Sequence, residues 1–182
     1  ERVRLNLKEI PVSELLQETL SVMEPLARNK GISLGFDLSE GPERQVTDPD
    51  VLKQLLLGIL DNAIKFTDKG SVFVETGESG TRWWIKISDT GIGIAEKDLA
   101  NIFEPFRQGD GSLSRRFGGT GLGLTIARKL ATFLHGEITV ISTPGEGSTF
   151  TIHLPSAASP ASAGEEQAPG GSSLNTPSSK ED

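Results

Sequence analysis

Phe117-Gly118-Gly119-Thr120-Gly121-Leu122-Gly123-Leu124-Thr125 runs a cluster of glycines directly into an apolar, helix-patterned segment that continues to Leu134. Glycine lets the backbone take positive φ and lets a ligand approach bare N–H groups. A helix that begins there has unpaired N–H groups and the positive end of its dipole, a combination that suits a phosphate. A surface loop ahead of a helix has the same composition, so the stretch alone leaves both readings open. Segments upstream supply what a nucleotide would need next.

Working back along the chain, residues 107–117 carry Arg107, Arg115 and Arg116 with little apolar content. They are expected as a mobile loop, and a solvated loop without a role is the plain alternative. Glu96 to Phe103 is expected as a short helix leading into Phe103-Glu104-Pro105-Phe106. Before it stands Asp89-Thr90-Gly91-Ile92-Gly93-Ile94, an acidic residue at a strand end followed by two glycines. Asp89 there either closes a tight Asx turn or aims its carboxylate into a pocket floored by glycine backbone. Ser71–Thr76 and Arg82–Ser88 read as strands of a hairpin turned at Glu78-Ser79-Gly80, with Trp83 and Trp84 on opposite faces.

Further upstream, Asp48 is expected to cap a helix with Pro49 at its first position. Its stripe Leu52, Leu55, Ile59, Asn62, Phe66 places an amide on the apolar face. A buried amide must find a partner, so Asn62 either bonds neighbouring backbone or faces a ligand. Ser13 is expected to cap an earlier helix that ends at Lys30 and Gly31 and is bent at Pro25. Ile32–Leu38 reads as a strand, Glu40–Gln45 as a polar loop, and residues 1–10 as a short strand or a lead-in. Downstream, the helix Leu122–Leu134 is closed by His135-Gly136, and Glu137–Thr143 with Thr149–Leu154 forms a second hairpin. His135 is expected as a partner of the helix dipole and His153 as an exposed strand residue.

Asn62-Ala-Ile-Lys65-Phe66, Asp89-x-Gly91-x-Gly93, Phe103-x-x-Phe106 and Gly119-Thr-Gly121-Leu-Gly123 follow one another in that order. The set resembles the N box, first glycine box, F box and second glycine box of the sensor histidine kinase catalytic domain, which has the Bergerat ATP-binding fold. The resemblance covers about residues 1–155. It implies an α/β two-layer sandwich, with a mixed, mostly antiparallel sheet on one side and three helices on the other. It also implies ATP and Mg²⁺ as ligands. Asn62 would hold Mg²⁺ through its amide oxygen, and Lys65, on the same helix face, would reach a phosphate. Asp89 would accept from the adenine amino group, which disfavours guanine, whose carbonyl would face that acceptor. Gly91 and Gly93 would let the base lie close, with Phe66 and Ile94 beside it. Thr149 matches a hydroxyl position near the adenine. Residues 107–118 would form a lid based on Phe103 and Phe106, with Arg107 a phosphate contact and Arg115 and Arg116 further candidates. Gly119, Thr120, Gly121, Leu122 and Gly123 would present N–H groups to the phosphates.

One position departs from the pattern. Four residues before Asn62 the family usually carries a second asparagine, and related ATPases a glutamate base; here stands Gly58. A glycine cannot activate water, which argues against a hydrolase of the gyrase type. It also motivates a rival reading, a degenerate ATP-sensing module with little kinase activity. The resemblance implies transfer of the γ-phosphoryl group to a histidine on a separate dimerisation domain, then to a response-regulator aspartate. Neither His135 nor His153 has an acceptor context, so the chain is expected to bind ATP without phosphorylating itself.

Composition limits the other classes. The 182 residues carry a net charge of −7, from 18 basic and 25 acidic residues, a poor match for sequence-independent nucleic-acid binding. There are no cysteines, which removes disulfides and thiolate chemistry. No apolar run is long enough to span a bilayer, so neither a membrane contact nor a nucleic-acid partner is expected and a cytoplasmic location is simplest. The division expected is a lead-in over 1–10, the ATP-binding domain over 11–155, and a disordered Ser/Pro/Gly/acidic tail over 156–182. The chain starts without Met and is expected to be cut from a longer protein.

Overall fold

Two long antiparallel strands form the centre of the sheet because they alternate apolar and polar residues with period two. In the computed structural model, which describes residues 4–105 and 122–156, these are β4 (Ser71–Ser79) and β5 (Arg82–Asp89). Val72, Val74, Trp83, Ile85 and Ile87 are turned inward and almost wholly out of water. Trp84, on the other face, lies over Gly77 directly across the ladder, where a Cβ would sit 2.1 Å from its ring. The expected placement of the two tryptophans on opposite faces therefore holds. Gly80, with φ 63°, makes the tight turn between the strands.

The five-stranded sheet has the order β2-β4-β5-β7-β6, with β2 (Ser33–Asp37), β6 (Glu137–Thr143) and β7 (Gly147–Pro155). Only β2 runs parallel to its neighbour. One face is covered by helices α1 (Val12–Lys30), α2 (Pro49–Lys65) and α4 (Gly123–Phe133). A single turn, α3 (Glu96–Leu99), follows β5. This is the mixed, mostly antiparallel sandwich with three long helices that the resemblance implied. Helix α2 packs against both α1 and α4 and onto β4 and β5. Its residues Leu52, Leu55 and Ile59 are at 0% exposure, each stabilising by roughly 1.5–3 kcal/mol.

A second, two-stranded sheet pairs β1 (Lys8–Pro11) with β3 (Arg44–Thr47). The stretch Glu40–Gln45 had been expected to be loop. Its pattern is inverted: Gln45 and Thr47 are buried while Val46, the apolar residue, is exposed. Hydrophobic periodicity cannot detect such a strand. Pairing with β1 and a bond from Gln45 Nε2 to Ser156 Oγ at 3.1 Å hold it.

Other boundaries shift for local reasons. Helix α1 starts a residue before Ser13, with Pro11 as its cap residue and no side-chain cap. The N–H of Val12 instead donates to Glu43 O at 3.0 Å, so the β3 approach does the capping. The helix passes through Pro25 and ends as expected at Gly31, φ 75°. Helix α3 stops at Leu99 rather than Phe103, because the next backbone bonds, Asn101 N to Asp98 O and Glu104 N to Asn101 O, span three residues. Helix α4 closes through His135 at φ 60°, whose N–H donates to Thr132 O, while Gly136 N–H donates to Ala131 O. That is a Schellman pattern with a non-glycine at its left-handed position. Residues 107–118, expected as a lid, and those from 157, expected as a disordered tail, lie outside the described residues.

Asp48 caps α2 as expected, its Oδ1 accepting from Asp50 N and Val51 N, and its Oδ2 from Asn6 N at 2.7 Å. Asp48→Ala removes all three bonds and is expected to lower stability by about 1–2 kcal/mol. Urea unfolding should show a lower midpoint with an unchanged slope; an unchanged midpoint contradicts it.

Candidate functional site

Three backbone segments meet at one end of the sheet. Ile92 N–H donates to Phe66 O at 3.1 Å, joining the turn after β5 to the end of α2. Gly145 N–H donates to Ile92 O at 2.8 Å, joining the same turn to the β6–β7 hairpin. The glycines make these approaches possible. A Cβ on Gly91 would lie 2.3 Å from Phe66 O, one on Gly93 (φ 69°) 2.1 Å from Thr143 O, and one on Gly147 (φ 117°) 1.9 Å from Asp89 O. Gly91 and Gly93 had been expected to make room for a base. In the structure the space they leave is occupied by protein backbone.

Asp89 ends β5 on the helix-facing side and is 9% exposed. Its Oδ1 accepts from Gly91 N at 2.9 Å and from Ser148 N at 3.3 Å. The first of these is the Asx turn, one of the two readings open for this residue. Oδ2 takes no hydrogen bond from the described residues. Burial pushes the Asp89 carboxyl above its ordinary value of 3.8, against the two N–H donors, which pull it down.

Asn62 and Lys65 lie in the last turn of α2. The Asn62 carboxamide makes no hydrogen bond to the described residues; only its backbone O is used, by Phe66 N. Of the two readings open for Asn62, a bond to neighbouring backbone is therefore absent. The carbonyls of Ile64 and Lys65 are taken by Lys30 Nζ at 2.8 and 2.6 Å, which fixes this end of the helix. A single half-buried amide oxygen fits a Mg²⁺ ion, which keeps waters and phosphate oxygens as its other ligands.

Helix α4 opens at Gly123 with Leu122 as its cap residue and no side-chain cap. A Cβ on Gly123 would meet nothing within 4 Å. Thr125 Oγ1 donates to Phe103 O at 2.9 Å, and the Phe103 ring meets Phe150 edge-on at 6.5 Å. Phe103 thus ties the start of α4 to the sheet. Gly58 faces this point: its Cβ would be 3.6 Å from Gly123 O and 3.9 Å from Ala127 Cβ, ordinary contact distances. The candidates Phe106, Arg107, Arg115, Arg116, Gly119, Thr120 and Gly121 lie outside the described residues.

Thr149 is placed on the wrong face. It pairs with Ser88, and their hydroxyls are 3.0 Å apart on the side of the sheet away from the helices. Strand alternation instead puts Ser148 beside Asp89, directly opposite it in the ladder and 8% exposed. Counting back by two from the core residue Phe150 would have found it. His153, in register with Trp84 and 3.1 Å from Thr139 Oγ1, shares the outer face with Thr149.

Residues 47–158 match the family model described as histidine kinase-, DNA gyrase B- and HSP90-like ATPase. The chain belongs to this family. Among its relatives are the circadian input-output histidine kinase CikA of Synechococcus elongatus, 40% identical over 157 residues, and the sensor histidine kinase GacS of Pseudomonas protegens, 43% identical over 159. These alignments cover 85% and 83% of this chain but only 21% and 17% of the relatives. Full-length ShkA, solved in complex with AMPPNP, matches with a TM-score of 0.77 and 32% identity over 86% of this chain and 32% of its own. The nucleotide-free catalytic domain of the histidine kinase ThkA matches with a TM-score of 0.71 and 26% identity, over 84% of this chain and 97% of that domain. No helix among the described residues is long and apolar enough to cross a membrane.

The raised Asp89 carboxyl has a consequence for stability. Protonated, it favours the fold below 3.8, and that contribution is lost as pH rises through its raised folded-state value. At about pH 7 the ionised group costs stability. Asp89→Asn keeps an acceptor for Gly91 and Ser148 without the charge. Its ligand-free melting temperature is expected above the parent's at about pH 7, the gap closing toward pH 3.8. Scanning calorimetry across that range checks this, and a lower melting point at neutral pH contradicts it.

Proposed function

We propose that this chain is the catalytic domain of a sensor histidine kinase that binds Mg-ATP and presents the γ-phosphate to a histidine on a separate dimerisation domain, for relay to a response-regulator aspartate. The observation that carries the reading is a pair of acceptors that no described residue uses, Asp89 Oδ2 and the Asn62 amide oxygen, on segments joined by the Phe66–Ile92 bond. An adenine amino group donates to Asp89, and guanine would set a carbonyl against it. Asn62 holds Mg²⁺, which neutralises charge on the phosphates when bound. Lys65 approaches a phosphate from the same helical turn. The uncapped start of α4, continuing from Gly119, Thr120 and Gly121, offers N–H groups to the phosphates. By the resemblance, Phe106 would anchor the base of a lid over 107–118 and Arg107 would contact a phosphate. ATP as ligand puts the domain in the cytoplasm. Ser148 replaces Thr149 as the hydroxyl beside the adenine edge, because it neighbours Asp89.

Phosphoryl transfer needs positioning and charge neutralisation more than covalent help from the domain. The acceptor must come from elsewhere: His153 faces away from the site and His135 closes α4. Gly58 favours the second reading, an ATP-sensing module of low activity, since no polar side chain stands one turn before Asn62.

Calorimetry on the 182-residue chain should find ATP bound at least about 100-fold more tightly than GTP, and Asp89→Asn should erase most of that preference. With γ-labelled ATP the chain alone should retain no label, while an added acceptor hairpin from a histidine kinase becomes labelled. Binding without transfer turns the assignment to the sensing module; label held on His135 or His153 overturns it.

A further inference from the structure

Ser142 lies in none of the motifs that mark the candidate site, yet its hydroxyl meets three polar groups beside Asp89's end of the sheet. Register places Ser142 of β6, Ser148 of β7 and Asp89 of β5 side by side in one row across the sheet. All three face the helices. The next row along, Val140, Phe150 and Ile87, is apolar, as is the one after it, Ile138, Ile152 and Ile85. The polar row is therefore the end of the core.

Ser142 Oγ lies 2.9 Å from Gly147 O, 2.8 Å from Ser148 Oγ and 2.8 Å from Ile94 N. A hydroxyl has one proton and two lone pairs. Gly147 O can only accept, and Ile94 N–H can only donate. All three bonds form together in one arrangement only. Ser142 donates to Gly147 O and accepts from both Ile94 N–H and the Ser148 hydroxyl. The proton of Ser148 is then committed away from the site. Ser148 keeps one lone pair free of this network, and across the ladder from it stands Asp89, whose Oδ2 takes no hydrogen bond from the described residues.

We infer that Ser142 is a positioning residue for base selection: it holds the Ser148 proton, so that the row presents acceptors only and takes a base bearing an amino group while refusing one bearing a carbonyl. Asp89 alone cannot enforce this. A Ser148 hydroxyl able to rotate would turn its proton toward a guanine carbonyl and offset part of the clash at Asp89. Ser142 also fixes the Gly93–Ile94 turn through the Ile94 N–H bond. The inference rests on the adenine reading of Asp89 and adds the group that keeps its neighbour from switching roles.

The test is nucleotide affinity on the full 182-residue chain, measured as the ratio of GTP to ATP dissociation constants. Ser142→Ala should lower that ratio by about tenfold, mostly by improving GTP, the equivalent of one hydrogen bond turned from repulsive to attractive. Ser142→Thr keeps the hydroxyl and should keep the ratio. Adding Ser148→Ala to Ser142→Ala should leave the ratio where Ser148→Ala alone puts it, since the first serine acts through the second. A merely structural serine would weaken ATP and GTP alike and leave the ratio unchanged, which overturns the inference. Should Ser142→Ala fail to fold, Ser142→Cys, of similar size but a weak donor, must lower the ratio, and an unchanged ratio there overturns it too. Asp89→Asn separates the two levels. If it abolishes the ATP preference while the Ser142 variants do not alter it, the role of Ser142 falls and the adenine site stands. If Asp89→Asn leaves the preference intact, the adenine reading itself fails.

Discussion

A carboxylate held almost out of water at the edge of an apolar core is an unstable arrangement unless its surroundings over-determine it. Asp89 is held that way by two N–H donors on one oxygen and by backbone on several sides. The Gly91 contact with Phe66 and the Gly147 contact with the Asp89 carbonyl leave no room for a side chain. Three of the chain's segments, the end of α2, the turn after β5 and the β6–β7 hairpin, are thereby locked at contact distance. The second carboxylate oxygen takes no hydrogen bond from the described residues, and burial makes its ionised form eager for a donor.

Helix α2 carries the other half of the site, and it is clamped at both ends by the N-terminal part of the chain. At its start Asp48 takes the N–H of Asn6 as well as two of its own. At its finish Lys30, from the end of α1, covers the carbonyls of Ile64 and Lys65. The helix between is anchored by side chains with no exposure, so Asn62 and Lys65 are delivered from a rigid rod. The charged pairs on the surface matter far less. Lys53–Glu18 at 3.2 Å and Lys86–Glu75 at 3.3 Å are solvated and add at most about 1 kcal/mol each.

The two faces of the sheet divide the labour. The helix side holds the core and, at its open end, the row Asp89–Ser148–Ser142. The outer side holds Trp84, Thr149 and His153. A shift of one residue along β7 moves a hydroxyl from the helix side of the sheet to its outer face. That is the whole difference between Ser148 and Thr149, and it follows from the period of two along a strand.

Much of this was legible in residue order alone. Helix α2 announced itself through Asp48-Pro49 and its apolar stripe, and the β4–β5 and β6–β7 hairpins through alternation and glycine turns, because such signals are local. Asn62 stood out as an amide on an apolar helix face and Asp89 as an acid at a strand end before two glycines, while Lys65 entered only through the family resemblance. Strand β3 was hidden because its buried residues are polar, and the Ser13 cap failed because a distant carbonyl, Glu43 O, does the capping. The purpose of Gly91 and Gly93 and the network through Ser142 depend on which backbones touch. Such contacts join residues some 25 to 60 positions apart, and neither composition nor period carries information over that span; only the packing of the folded chain creates them.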